Sequence, residues 1–321
     1  MALGSDNITV TTAANYIPEL WSMEVIAAYK ANNSMRSRVT LFNHNKKKGD
    51  TIHVPNFTRS LAVAKAAGSQ VTLSAPTHGI TNISLDKHFE YSKLLEDIVA
   101  IQAMDSLRQS YTDDAGYSLA RQVDFNLHVI GTAFQGGTLD ASPGTPDANT
   151  LTYGTGSVIG SDGATAWSAS GAGNGANLTD AGIRRILRNM DDDNMPMSDR
   201  TIVVPPCQKE VLLGIPRFTE QAFTGEAAQG NSIRSGKIGD IYGTPVYVST
   251  NCGNTTNTST TTAYRACLFF HKSALALAEQ MGVRTQTQYK QEYLADLFTA
   301  DMIYGVAELR DNGGYAVIVP A

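Results

Sequence analysis

The chain has 321 residues, 42% of them hydrophobic, enough to bury a substantial core in one large or two modest domains. A net charge of −5 excludes wholesale coating of nucleic acid by the protein's mean field and leaves only local basic patches for such contacts. No run approaches the roughly 18 apolar residues that span a bilayer, and the first residues lack the basic start and apolar core of a secretory signal; Cys207, Cys252 and Cys267 are too few and too widely spaced for a disulfide scaffold or a four-cysteine zinc site, so reduced thiols in a cytoplasm are expected.

Residues 1–45 read as an arm with one helix, because Leu20, Met23, Ile26 and Ala27 recur at helical spacing after Pro18, which suits an early helical position. From Lys48 the period drops to two. Ile52 and Val54 alternate with Thr51 and His53, while Ile83, Leu85, Phe89 and Tyr91 share one face on the return, which predicts a projecting hairpin over 46–91. Its centre, 60–77, is rich in Ala, Ser and Gly and too poor in bulky apolar residues to make a core, so a mobile tip is expected unless a neighbour covers it. Ten strand residues reach roughly 30 Å at about 3.3 Å each, far enough to leave their own domain.

Apolar or small residues then recur at 94, 98, 101, 104, 107, 111, 115, 119, 123, 127, 130 and 134. The mean step of about 3.6 predicts one long helix over 94–134, with a break near 105 where Asp105-Ser106 caps a second segment. Residues 135–177 are rich in Gly, Ser, Thr and Ala and read as a linker or, with Trp167 among alternating small residues, a lightly built β insertion. Thr179-Asp180 opens a helix carrying Ile183, Ile186, Leu187 and Met190, with Arg188 and Asp192 paired at i, i+4. Strands are predicted over 201–204, 241–248, 265–271, 283–289, 301–309 and 315–319, with short helices over 207–213 and 272–281. Helices and antiparallel strands mix without a βαβ rhythm, so the class is α+β.

No stretch carries a catalytic constellation. The segment 230–237 separates its glycines by five residues instead of four and Ile238 stands where a phosphate loop needs Ser or Thr; Gly156-Ser-Val-Ile-Gly160 has the wrong spacing for a nucleophile elbow. The six histidines form no zinc motif, and His53 with His88 is a weak metal pair beside the plainer reading of packed or exposed side chains. Asp191, Asp192 and Asp193 read as a solvated helix end, neutralised by Arg184, Arg185 and Arg188, before they read as a calcium site. No enzyme, cofactor or metal is expected.

Charge is distributed unevenly. Arg36, Arg38, Lys46, Lys47, Lys48, Arg59 and Lys65 face a single acid, Asp50, over 36–65, whereas 86–124 is acidic and includes Glu96, Asp97, Asp113 and Asp114. Opposite signs on ribbon and helix suit contact between neighbouring copies, since complementarity fixes register and suppresses wrong pairings. Two other readings stay open for the lysines: a solvated turn, or phosphate contact with DNA.

The strings Thr12-Ala-Ala-Asn-Tyr-Ile-Pro-Glu-Leu-Trp21, Lys48-Gly-Asp-Thr-Ile-His-Val-Pro55, Tyr111-Thr-Asp-Asp-Ala-Gly-Tyr117 and Ile238-Gly-Asp-Ile-Tyr-Gly-Thr-Pro-Val246, with the order of segments, resemble the major capsid proteins of tailed bacteriophages and their HK97-like fold. The resemblance implies an N-terminal arm (1–45), an extended loop (46–91), a peripheral domain with a spine helix and insertion (92–177), an axial domain (178–270) and a return to the peripheral domain (271–321). It implies a structural protein that self-assembles through hexamers and pentamers into an icosahedral virion shell around double-stranded DNA, assembled in the host cytoplasm. Scaffolding, portal and decoration proteins are implied partners, packaged DNA is touched weakly and without sequence preference, and membranes have no part. Another phage structural protein, of a tail tube or a decoration, is the alternative.

Overall fold

The computed structural model describes residues 34–43, 48–57, 62–71, 73, 78–97, 106–136, 159–167, 175–219, 239–256 and 262–321. The predicted arm helix after Pro18 lies outside them, as do most of the insertion and the segment 220–238.

Two sheets and a separate ribbon organise the described residues. One sheet has four strands in the order β1 (Thr40–Asn43), β11 (Leu275–Lys290), β12 (Ala295–Glu308) and β4 (Lys87–Glu96). The other has seven: β5 (Ile159–Gly160), β13 (Gly314–Pro320), β10 (Ala263–His271), β6 (Arg200–Val204), β8 (Thr244–Val248) and β7 (Asp240–Ile241) in sequence, with β9 (Asn254–Thr256) also on β10. The ribbon pairs β2 (Thr51–Phe57) with β3 (His78–Ser84), and among the described residues with no other strand.

The period-two pattern of the central strands sorts residues onto the two faces of the larger sheet. Ala266, Leu268 and Phe270 of β10 face a core shared with the long helix α1 (Ser106–Gly131), while Cys267 and Phe269 face α2 (Asp180–Asp192) and α3 (Pro206–Leu213). Helix α2 buries Ile183, Ile186, Leu187 and Met190, the stripe its spacing predicts, and Thr179 caps it by accepting the Gly182 N–H at 3.1 Å. On the other side α1 packs against both sheets at once. Leu119, Val123 and Leu127 share a continuous core with Leu268 and Ile318 of the larger sheet and with Leu277, Met302 and Tyr304 of the smaller one. From Val123 to Val129 the helix is buried all round, and Gly131 permits this because a Cβ there would stand 2.8 Å from Leu268.

Three expectations are corrected here. The long helix does not begin at 94: Lys87–Glu96 is a strand, because residues 87–96 lie antiparallel to 295–304 and ladder pairing outweighs a helical spacing of apolar residues. The hairpin's return side divides accordingly. Ile83 stays with the ribbon, whereas Phe89 and Tyr91 belong to β4 and pack on the main core. The predicted helix over 272–281 is a single 3₁₀ turn, Lys272–Ala274, followed by β11. Leu275-Ala-Leu-Ala278 is buried on both faces of its strand, with leucines towards the main core and Ala276 and Ala278 towards a small second cluster, and a doubly buried strand carries no polar alternation to reveal it. The last strand, β13, pairs with β10 in the larger sheet.

Candidate assembly surfaces

Among the described residues the ribbon is anchored at its root. Ile52, Val54, Ile83 and Leu85 pack with Phe42, Ala276, Ala278, Ala307 and Leu309, and Gly305 lets β12 approach so closely that an added Cβ would strike the Ser84 carbonyl oxygen. Leu85 N–H donates to the Asp50 carbonyl at 2.7 Å and the Gln280 side chain to the Gly49 carbonyl at 2.9 Å. Further out, the described tip residues 62–71 are all exposed, with Val63 and Val71 60% or more accessible and Leu73 at 90%.

The predicted contact residues fall into three groups. Arg36, Arg38, Asp97 and Asp114 have partners within their own subunit. Arg36 pairs with Glu279 at 2.8 Å and the Arg38 guanidinium lies 4.0 Å over the Tyr247 ring. Tyr289 donates to Asp97 at 2.8 Å, and Tyr91 to Asp114 at 3.0 Å; burial and that carboxylate together push the Tyr91 hydroxyl up to about 12. Lys48, Lys65, Glu96 and Asp113 are exposed: Lys65 on the tip, Glu96 at the end of β4 and Asp113 on α1. Lys46, Lys47 and Arg59 lie outside the described residues.

The weak alternatives for metal chemistry separate in space. His53 bonds to Asn82 on the ribbon and His88 to Asp301 on the smaller sheet. Asp191 pairs with Arg200 at 2.7 Å and Asp192 with Arg188 at 3.4 Å, while Asp193 accepts from Tyr315 and Gln135. Among the described residues no three His, Cys, Asp or Glu side chains converge as metal ligands.

A polar hub inside the core escaped the sequence reading. Asp124 on α1, 1% exposed, accepts the Met35 backbone N–H at 2.7 Å through one oxygen and the Asn251 amide at 2.9 Å through the other. Arg121 donates in turn to Asn251 at 3.3 Å, so one helix ties down both the start of the described chain and the loop after β8. His128 stands one helical turn on, 3.6 Å from the same carboxylate, and its burial holds the imidazole below its ordinary range. Between the ribbon and the body lies a cleft of about 900 Å³ lined by Asn56, Thr81, Asn194, Glu308, Arg310 and Asp311. Burial first, and Asp311 second, push the Glu308 carboxyl up to about 7.

Known proteins match this architecture along its length. The family described as phage capsid protein matches residues 13–319. No curated protein sequence matches the chain. Among solved structures, that of Mycobacterium phage Che8 is 21% identical, with a TM-score of 0.70 over 94% of this chain and 97% of its own. The capsid of the cyanophage P-SCSP1u is 17% identical, with a TM-score of 0.73 over 99% and 96%, and that of Ralstonia phage GP4 is 14% identical, with 0.68 over 95% of each chain. At those identities the structures establish a shared α+β, HK97-like capsid fold. With a family match over residues 13–319, nearly the whole of it, the chain belongs to the phage capsid proteins and is a structural major capsid protein.

Proposed function

We propose that copies of this chain close into an icosahedral shell around a double-stranded DNA genome, each laying its ribbon on the next copy. The observation that carries this is the contrast along the ribbon: a root packed into the subunit, and an outer part with Val63, Val71 and Leu73 of the tip and Ile80 of β3 exposed. Large apolar side chains held in water on a two-stranded ribbon gain burial only from another molecule. Lys48 and Lys65 of one copy meeting Glu96 of the next would help to set register, each exposed pair contributing only about 0–1 kcal/mol. Many such contacts per subunit accumulate through multivalency.

In this reading α1 and the four-stranded sheet form the peripheral part of the subunit, and the seven-stranded sheet with α2 and α3 the axial part. Assembly takes place in the host cytoplasm, with scaffolding, portal and decoration proteins as partners. The experiment is electron microscopy of the purified full-length chain across a concentration series, alone and with the phage's scaffold. Closed shells from the intact chain, and none from a variant with 58–77 replaced by a short Gly-Ser turn, are expected. Shells of normal size and stability from the ribbonless variant would defeat the reading.

A further inference from the structure

We propose that the far end of the four-stranded sheet, the β11–β12 turn with Leu94 nearby, seats the ribbon tip of a second copy; the proposal rests on the shell-building reading and names the surface the tip meets. The turn 291–294 joins β11 to β12 and sets Tyr293 and Leu294 in water, 65% and 64% exposed. Leu94, on the adjoining strand β4, is 46% exposed and pairs with Leu297 just beyond the turn. Large apolar side chains scattered singly over a surface need no explanation, but a group of them at one end of a sheet marks a place of contact.

The backbone of the turn is strained to hold them there. Leu294 has φ 47°, in the left-handed region that glycine enters freely and a bulky side chain does not. Glycine would close the same turn with less strain. The conformation is fixed from both sides: Tyr293 N–H donates to the Lys290 carbonyl and Asp97 N–H to the Leu294 carbonyl, both at 3.1 Å, while the Tyr289 hydroxyl holds the Asp97 carboxylate at 2.8 Å. A strained apolar residue that gains little burial from its own subunit points to a use outside it.

The ribbon tip suits this seat in chemistry and in position. Residues 58–77 hold Arg59 and Lys65 and no acid, and Val63, Val71 and Leu73 there are 60% or more exposed. Around the seat Glu96, Asp97, Glu292 and Asp296 outnumber Lys93 and Lys290. Apolar side chains would meet inside a rim of opposite charge, which joins burial to register. The ribbon root packs on Ala276 and Ala278, and β11 runs on from there to Lys290, roughly 40 Å away at about 3.3 Å per residue. Ribbon and seat therefore leave the sheet at opposite ends. A contact between them is head to tail, the kind that closes identical copies into rings.

Light scattering of the full-length chain, alone and with its scaffold, measures the concentration at which particles form. Leu294→Gly relaxes the backbone and Tyr293→Ser removes the ring, so the double variant should melt no lower than the parent. It should nevertheless need about tenfold more protein to assemble, because a few aromatic and aliphatic anchors carry most of an interface's affinity. Assembly at the parent's concentration would overturn the proposal and leave shell building intact. Carbodiimide, which joins an amine to a carboxylate in contact with it, gives a second readout on particles built from equal parts of heavy-isotope and light-isotope chains. Links from Lys65 to Glu96 or Glu292 are expected, about half of them joining a heavy peptide to a light one. Links within one isotope alone would put the tip on its own subunit, and a Lys65 linked only elsewhere, or not at all, would put it off the seat; either result overturns the proposal. A chain that forms no particles with or without scaffold removes both readings.

Discussion

Replacing Asp124 tests whether the buried hub holds the subunit together. Its carboxylate, 1% exposed, accepts N–H bonds from Met35 and Asn251 at 2.7 and 2.9 Å. Hydrogen bonds to a charged group contribute about 1.5–3 kcal/mol each, and Asp124→Ala removes both, a cost of about 3–6 kcal/mol. Asp124→Asn keeps an acceptor for Met35 but sets one amide N–H against another at Asn251; flipping Asn251 would only transfer the loss to its bond with Arg121. One bond is lost, about 1.5–3 kcal/mol. With an unfolding entropy of about 2.1 cal/mol/K per residue over 321 residues, 1 kcal/mol corresponds to about 1.5 °C. The alanine variant should therefore melt about 4–9 °C below the parent and the asparagine variant about 2–5 °C below it. Urea titration and calorimetry of the unassembled subunit give the global loss, and exchange at the Met35 amide gives the local one. An alanine variant as stable as the parent, or an asparagine variant as damaged as the alanine one, would refute the reasoning.

Burial holds His128 neutral, so the unfolded chain binds a proton that the folded chain refuses; stability should fall as pH drops below about 6.5, and His128→Gln should flatten that slope in urea midpoints measured from pH 7 to 5. Glu308 behaves in the opposite sense. With its carboxyl raised to about 7 from an ordinary 4.5, the folded state holds the extra proton, so its contribution declines as pH rises between those values, and Glu308→Gln should exceed the parent in stability above pH 7 while matching it below pH 4.5. Gly305→Ala should loosen the ribbon root without unfolding the core, because its Cβ meets a backbone oxygen of β3; faster exchange at 83–85 with an unchanged rate at 266–270 is the expected pattern.

Much of the fold was legible because burial on one face leaves a period. The α2 stripe with its Thr179 cap, and the strands over 200–204, 244–248 and 263–271, follow from residues whose spacing and neighbours agree. Legibility fails where burial is two-sided or pairing is distant. Leu275-Ala-Leu-Ala278 reads as helix because both faces are apolar, and Leu94 and Leu95 are claimed by β12, some 200 residues away, against a local helical spacing. The charge asymmetry was real in sequence, yet Arg36 and Arg38 spend their charge inside the subunit, on Glu279 and Tyr247. The hub had one overlooked signal. Asp124, Asn126 and His128 alternate with Val123, Phe125, Leu127 and Val129, and a helix cannot place such a mixture on one wet face, so polar groups had to enter the core.

The ribbon root and tip divide the work of assembly between folding and association. At the root, burying Ile83 completely and Leu85 nearly so contributes about 1.5–3 kcal/mol for each side chain, enough to fix where the ribbon leaves the body. The surface they meet is lined by Ala276, Ala278 and Ala307, whose short side chains let two backbones come close but offer little relief to interlock. Among the described residues nothing comparable supports the tip, where Leu73 is 90% exposed and each ordered residue costs about 1–2 kcal/mol of backbone entropy. On the proposed function, such a tip would gain its order when another copy covers it. On that proposal, ordering the ribbon and binding the neighbour would be one event, and part of the shell's stability would reside in contacts that a solitary subunit cannot make.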